Sequence, residues 1–305
     1  AGALAWVFTT SMLLAGLATA MAVFGRADVA AWVYLAASLV LLAGSLDIVR
    51  RQRALITVTI ALGATSWCVG NLLWAMGAGA PVVAPWWLSF LVLTIAGERL
   101  ELSRFLQPSG TARWLFAAVL LLIGSGLAGI ALHWGPTVFA LGLLALVGWL
   151  LRHDIARKTV QQRGLTRFIA VCLLSGYAWL LVGALVLLVA GQLAPGNASY
   201  DAIVHALGMG FVFSMVFGHA PIIFPAVLRV AVPYHPAFYL PLLLLHAGLV
   251  LRLGGDALGD FTIVRAGGML GAVALAAFIV GTVSAVVRGL RQRRFAPASS
   301  APSRR

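Results

Sequence analysis

The chain has 305 residues, of which 62% are hydrophobic and only 10% are charged, and it carries a net charge of +13 at pH 7. Because soluble domains carry about 25% charged residues, this composition excludes an ordinary soluble protein and predicts a polytopic protein of the lipid bilayer. The basic residues flank apolar segments, so we expect anionic lipid at the cytoplasmic face, and no nucleic acid, as their partner. We predict an all-α fold, with one transmembrane domain over residues 1–290 and a basic, disordered tail over residues 291–305.

Ten apolar segments follow one another with short connections, and each is long enough to cross a bilayer as a helix. They cover about residues 3–24, 29–49, 54–77, 82–98, 112–133, 136–152, 165–191, 200–229, 234–252 and 262–287. Nearly all lysines and arginines fall after the even-numbered segments and in the tail. Positive charge marks cytoplasmic loops, so this alternation predicts that both termini are cytoplasmic.

Three polar side chains within or beside the first seven segments have structural explanations. Asp47 precedes Arg50 and Arg51, and we expect it to form an ion pair with one of them. Asn71 and Tyr177 lie inside apolar segments, where a polar side chain either lines a pore or forms a hydrogen bond between helices. The second arrangement is the more common, so we expect it here.

The charged residues at the end of the fourth segment are the next candidates. Arg99 lies between Glu98 and Glu101, and we expect the three to form a solvated cluster at the membrane interface rather than a proton path. No Walker, Rossmann, HExxH or GxSxG pattern occurs in a suitable context. The sequence therefore assigns no catalytic reaction.

Histidines concentrate in the eighth and ninth segments. Four of the six histidines, His205, His219, His235 and His246, lie within Asp201–Arg252. Ionisable side chains at bilayer depth are rare and often mark a binding site. This region is therefore the first candidate for function.

Helical spacing predicts a stripe of metal-binding side chains on the eighth segment. His205 and His219 are fourteen residues apart, which places them on one face of an α-helix. Gly208, Met209 and Met215 lie between them on that face. Imidazole and thioether groups bind copper and haem iron, whereas methionines also commonly fill gaps in a core.

The depths of the histidines predict a pair near mid-membrane. His219 lies about 15 Å from the cytoplasmic end of the eighth segment, and His246 lies about 16 Å from the same side on the ninth. Two imidazoles at one depth are able to ligate one haem or one copper ion. His205 is expected near the outer surface, where His133 at the end of the fifth segment allows a second pair.

Each histidine also has a simpler explanation. A lone membrane histidine often donates a hydrogen bond to a backbone carbonyl or to a neighbouring hydroxyl. His235 lies in a Tyr-His-Pro turn and His153 in a basic loop, so both are expected at the membrane interface.

The segment HALGMGFVFSMVFGHAPIIFPAVL, at His205–Leu228, resembles the histidine-bearing helices of NnrS-type proteins. These are bacterial inner-membrane proteins that contain haem and copper and are linked to nitric oxide stress. The resemblance covers this helix and the next one, which holds His246. It implies a bacterial inner-membrane location, haem b or copper as cofactor, and ligation by His205, His219 and His246.

Two other functions fit the same architecture. Ten spans in about 300 residues, with both termini inside, resemble the drug/metabolite transporter superfamily, whose two halves of five helices are inverted repeats. No clear sequence repeat relates residues 1–135 to residues 136–290. A non-catalytic subunit that packs beside partner subunits in a larger membrane complex would also explain the scarcity of converging polar groups.

Overall fold

The structure is a computed structural model that describes residues 2–103, 109–228 and 233–295, and the regular structure of these residues is entirely helical. Within these residues, ten helical segments are long enough and apolar enough to cross a membrane. The prediction of an all-α protein with ten spans is therefore confirmed. The helices are α1 (Gly2–Val23), α2 (Ala27–Arg51), α3 (Leu55–Ala75), α4 (Ala80–Ser103), α5 (Gly110–Ala128), α6 (Gly135–His153), α7 (Ala156–Thr159), α8 (Gly164–Ala190), α9 (Ala198–His205), α10 (Ser214–Leu228), α11 (Tyr239–Leu258) and α12 (Phe261–Phe295).

Several helix ends differ from the predicted ones. Helix α4 continues about five residues beyond the predicted end of the fourth span at residue 98, to Ser103, and residues 104–108 lie outside the described part of the chain. Helix α5 ends at Ala128, five residues before the predicted end at His133. Helix α11 continues six residues beyond Arg252, until Gly259 ends it in a left-handed conformation with φ of 68°. Helix α12 reaches Phe295, within the segment predicted as a disordered tail, and residues 296–305 are not described.

Contacts between Cα atoms divide the chain into two compact units. The first unit contains residues 1–155 and 177–212, and the second contains residues 156–176 and 213–305. Within the first unit, consecutive helices pack against each other in the pairs α1–α2, α2–α3, α3–α4 and α5–α6. The predicted ion pair of Asp47 is confirmed there, with Arg51 Nε 2.8 Å from Asp47 Oδ2.

Asn71 joins three helices of the first unit. Its side chain is 1% exposed, its Nδ2 donates to the Tyr34 carbonyl oxygen at 3.1 Å, and its Oδ1 accepts from Trp87 Nε1 at 2.9 Å. These partners lie on α2 and α4, on either side of α3. The expected hydrogen bonding between helices is therefore confirmed for Asn71.

The second unit contains the hairpin of α11 and α12. A Cβ added to Gly267 would lie 2.5 Å from the Arg252 nitrogen and 2.6 Å from the Gly248 carbonyl oxygen. The two backbones therefore approach each other as closely as glycine permits, which is how membrane helices gain packing without a hydrophobic driving force. This hairpin carries His246, and α12 also contacts α10, which carries His219.

Candidate functional site

The eighth span is not a continuous α-helix. A π-helix at Ala206–Phe213 separates α9 from α10. Its hydrogen bonds join residues i and i+5, an arrangement that is rare and is found mostly as single turns at functional sites. The predicted stripe from His205 to His219 assumed α-helical spacing throughout, and that assumption is wrong across these eight residues.

Close packing accounts for the glycine near the middle of the π-helix. A Cβ added to Gly210 would lie 2.4 Å from Cγ of Trp179, so the indole packs directly on the backbone. Where α10 begins, Ser214 is fully buried, and its Oγ has no hydrogen-bond partner among the described residues. An unsatisfied buried hydroxyl costs about 1–3 kcal/mol. The buried hydroxyl of Ser214 therefore lowers the stability of the fold at the start of α10.

Two histidine rings on this span are oriented by backbone carbonyls. His205 Nδ1 lies 2.8 Å from the Asp201 carbonyl oxygen, and His219 Nδ1 bonds the Met215 carbonyl oxygen in the same way. A carbonyl only accepts hydrogen bonds, so Nδ1 carries the proton and Nε2 carries the lone pair in the neutral rings. Metal-ligating histidines commonly have this arrangement, in which a backbone carbonyl fixes the tautomer and the ring orientation.

His246 is the second member of the predicted deep pair. It is half-buried on α11, and its Nε2 atom is buried. It lies ten residues from the start of its span at Pro236, and His219 lies nine residues from the end of α10. At about 1.5 Å per residue, these separations correspond to about 15 Å for His246 and about 13.5 Å for His219 along the helix. The helix bounds are compatible with matching depths, and the pairing of the two rings stays a prediction.

The other predicted ligands divide between the two units. Met215 is 2% exposed and belongs to the second unit, with His219 and His246. Met209 is half-buried within the π-helix, and His133 is exposed in the connection between α5 and α6; both belong to the first unit. Among the described residues, no group of three or more His, Cys, Asp or Glu side chains is placed to hold a metal ion.

The remaining two histidines make local contacts. His153 Nδ1 lies 3.0 Å from the Trp149 carbonyl oxygen, and its ring stacks on the Trp149 indole with centroids 4.8 Å apart. His235 is exposed and accepts a hydrogen bond from the Ala237 backbone nitrogen. Their positions at the membrane interface stay predictions.

A buried charged cluster in the first unit was missed. Arg99 and Asp154 are each 4% exposed, and Tyr177 is fully buried. The Tyr177 hydroxyl donates to Asp154 Oδ2 at 2.8 Å, and Tyr177 lies within electrostatic range of both charges. The expected hydrogen bond of Tyr177 is confirmed, whereas a solvated position for Arg99 is wrong. Of the three residues in the predicted cluster, only Glu98 is exposed, and Glu101 is half-buried.

The comparisons with known proteins identify a family and no activity. The model of the family described as Domain of unknown function (DUF8744) matches residues 1–287, so the chain belongs to this family. No curated protein and no solved structure matches the chain.

Proposed function

We propose that this member of the DUF8744 family is a haem- or copper-binding protein of the bacterial inner membrane, similar in type to the NnrS proteins. In this proposal His219 and His246 hold the cofactor. The observation that carries it is the His219 ring, which a backbone carbonyl orients within an apolar span, six residues after the end of a π-helix.

The residues present fit the chemistry of such a group. A neutral imidazole with its proton on Nδ1 presents Nε2 to haem iron or copper, and the Met215 carbonyl keeps the His219 ring in this state. The span that carries His219, Ala198–Val227, has a mean hydropathy of 1.7, so it is apolar as a whole. When bound, haem or copper would supply one-electron chemistry, and the protein would supply binding, orientation and exclusion of water.

The first test is the composition of the purified protein. Cells supplied with iron and copper should yield one of two results. The protein either shows a Soret band whose absorbance corresponds to about one haem per chain, or it contains about one copper ion per chain and shows no Soret band. Either result supports the proposal and identifies the cofactor. Protein that contains neither group, while it elutes as a folded species from a sizing column, contradicts the proposal.

The second test separates ligation from folding. His219→Ala and His246→Ala should each lower cofactor content by at least about tenfold, the range seen when a supporting contact of a metal ligand is lost. His153→Ala is the matched control, because His153 makes the same hydrogen bond to the carbonyl four residues earlier. Full retention of cofactor in both ligand variants would exclude these residues as ligands.

A second candidate function is transport, favoured by the buried Arg99, Asp154 and Tyr177 cluster. Ionisable residues buried among membrane helices commonly mark ion or substrate pathways. A transporter of the drug/metabolite type would lower the accumulation of ethidium in cells that express it. The Asp154→Asn variant, at equal membrane abundance, should abolish this effect; equal accumulation with and without the wild-type protein contradicts export of this cation.

A further inference from the structure

The second unit contains a cavity that the proposed cofactor site does not use. Its volume is about 390 Å³, within the range of small-molecule sites. Four phenylalanines form much of its wall: Phe168, Phe217, Phe238 and Phe278. At about 30 Å³ for each water-sized group, the cavity accommodates about a dozen methylene groups. This volume suits one hydrocarbon chain and is too small for a whole phospholipid.

Aromatic contacts hold the walls in place. Phe217 stacks on Phe278 at an interplanar angle of 12°, and the ring of Phe168 lies 5.8 Å from that of Phe238. These rings come from α8, α10, α12 and the short helical turn before α11. The apolar space is therefore formed by rings that pack against one another, and they offer no hydrogen-bonding group to a molecule that enters it.

The polar groups of the cavity lie toward the basic end of α12. Along this helix the lining begins at Ala277 and ends at the exposed Arg288, about 16 Å further on. His235 adds a second donor, because its Nδ1 accepts from the Ala237 backbone and the proton of the neutral ring is then on Nε2. No acidic side chain lines the cavity among the described residues.

The position of Arg288 relates this cationic end to the membrane. The apolar span of α12 ends at Leu290, so Arg288 lies at the level where a helix leaves the hydrocarbon and meets lipid phosphates. An apolar chamber with a guanidinium group at its membrane boundary is complementary to a molecule with a hydrocarbon tail and an anionic headgroup. Free phosphate would leave the apolar walls without a partner.

We propose that this cavity binds an anionic phospholipid of the surrounding bilayer, with one acyl chain between the phenylalanines and the phosphate at Arg288 and His235. Unlike general attraction of anionic lipid to basic loops, this is a single site of defined composition. It does not depend on the proposed cofactor, since the histidines assigned to the cofactor do not line the cavity.

The test measures lipid retention by native mass spectrometry. Purified protein in detergent receives equimolar phosphatidylglycerol and phosphatidylcholine with identical acyl chains, and palmitate in a separate arm. The wild-type protein should retain one phosphatidylglycerol molecule in preference to phosphatidylcholine. Equal retention of both phospholipids, or retention of palmitate alone, would overturn the proposal.

Two variants separate the chain from the headgroup. A Cβ on Gly281 meets no atom within 4 Å, so Gly281→Leu should fill the cavity without a clash and lower retention by at least about tenfold. Arg288→Gln should reduce the preference for phosphatidylglycerol about threefold and leave total lipid retention nearly unchanged. The control for the cavity variant is Gly124→Leu, because a Cβ on Gly124 also meets open space but lies outside the cavity. The control for the headgroup variant is Arg265→Gln, at the other end of α12.

A folding defect would not obscure the result. Each variant is first compared with the wild type by sizing chromatography and thermal melting. If Gly281→Leu fails to fold, Ala277→Leu places a second bulky group into the same space. Unchanged retention in the folded cavity variant, or an equal loss of preference in Arg288→Gln and Arg265→Gln, contradicts the site.

Discussion

Replacing Tyr177 with phenylalanine tests the buried charged cluster most simply. The substitution removes the hydroxyl that donates to Asp154 Oδ2 at 2.8 Å, and both side chains are buried. A hydrogen bond to a charged group contributes about 1.5–3 kcal/mol, so we expect a loss of about 2 kcal/mol in the free energy of unfolding. The ring remains in place, so lost packing adds little to this loss.

The assay is the thermal midpoint of the purified protein in a fixed detergent. At about 2.1 cal/mol/K of unfolding entropy per residue, about 2 kcal/mol corresponds to a decrease in Tm of about 3 °C for a chain of 305 residues. Tyr200→Phe is the control, because the Tyr200 hydroxyl donates to the Pro81 carbonyl at an exposed position, and its loss should change stability by less than about 0.5 kcal/mol. Equal midpoints for the two variants would refute the role assigned to the buried hydrogen bond.

A double-mutant cycle assigns the effect to the pair. Asp154→Asn removes a charge that is buried near Arg99, so it should destabilise the protein by about 3–5 kcal/mol, more than Tyr177→Phe does. In the double variant the two losses should not add, and the interaction energy should be at least about 1 kcal/mol. Additive losses would show that Tyr177 and Asp154 act independently.

The other predictions concern helix packing and orientation. Gly267→Ala brings a Cβ within 2.6 Å of backbone atoms of α11 and should lower the free energy of unfolding by about 1–3 kcal/mol. Gly254→Ala, whose Cβ meets open space, should be neutral or slightly stabilising. Equal melting curves for the two variants would contradict the close packing. Asn71→Ala leaves Trp87 Nε1 without its acceptor and should cost about 1–3 kcal/mol by thermal melting, and a wild-type midpoint would argue against the three-helix junction. A C-terminal green fluorescent protein fusion should fluoresce and an alkaline phosphatase fusion should be inactive, whereas the reverse result would place the C-terminus outside the cytoplasm.

The ten spans are predictable because the bilayer sets their length. A membrane helix needs about 20 apolar residues, and backbone groups in lipid have to be paired within the helix, so hydropathy alone identifies each segment. The exact ends are less predictable. Arg252 resembles the end of a span, yet α11 continues past it to Leu258, because Gly259 supplies the left-handed conformation that ends the helix.

The sequence predicts which residues make up the candidate site, but it does not predict how they are arranged. The histidines could be found by counting, but nothing local in the sequence distinguishes the π-helix at Ala206–Phe213 from an α-helix. Its close contact between Gly210 and Trp179 depends on packing against the preceding helix α8, which a local pattern of residues does not predict. The buried position of Arg99 was missed for the same reason, since its neighbours Asp154 and Tyr177 follow 55 or more residues later.

The most direct test of the proposed function is electron paramagnetic resonance of the oxidised protein, purified with its cofactor. If His219 and His246 ligate one haem, the spectrum should be that of low-spin ferric iron with two imidazoles; if they ligate copper, the copper signal should show coupling to two nitrogen atoms. Either spectrum should be lost in His219→Ala and kept in His153→Ala. A wild-type spectrum that His219→Ala and His246→Ala leave unchanged would contradict the central claim.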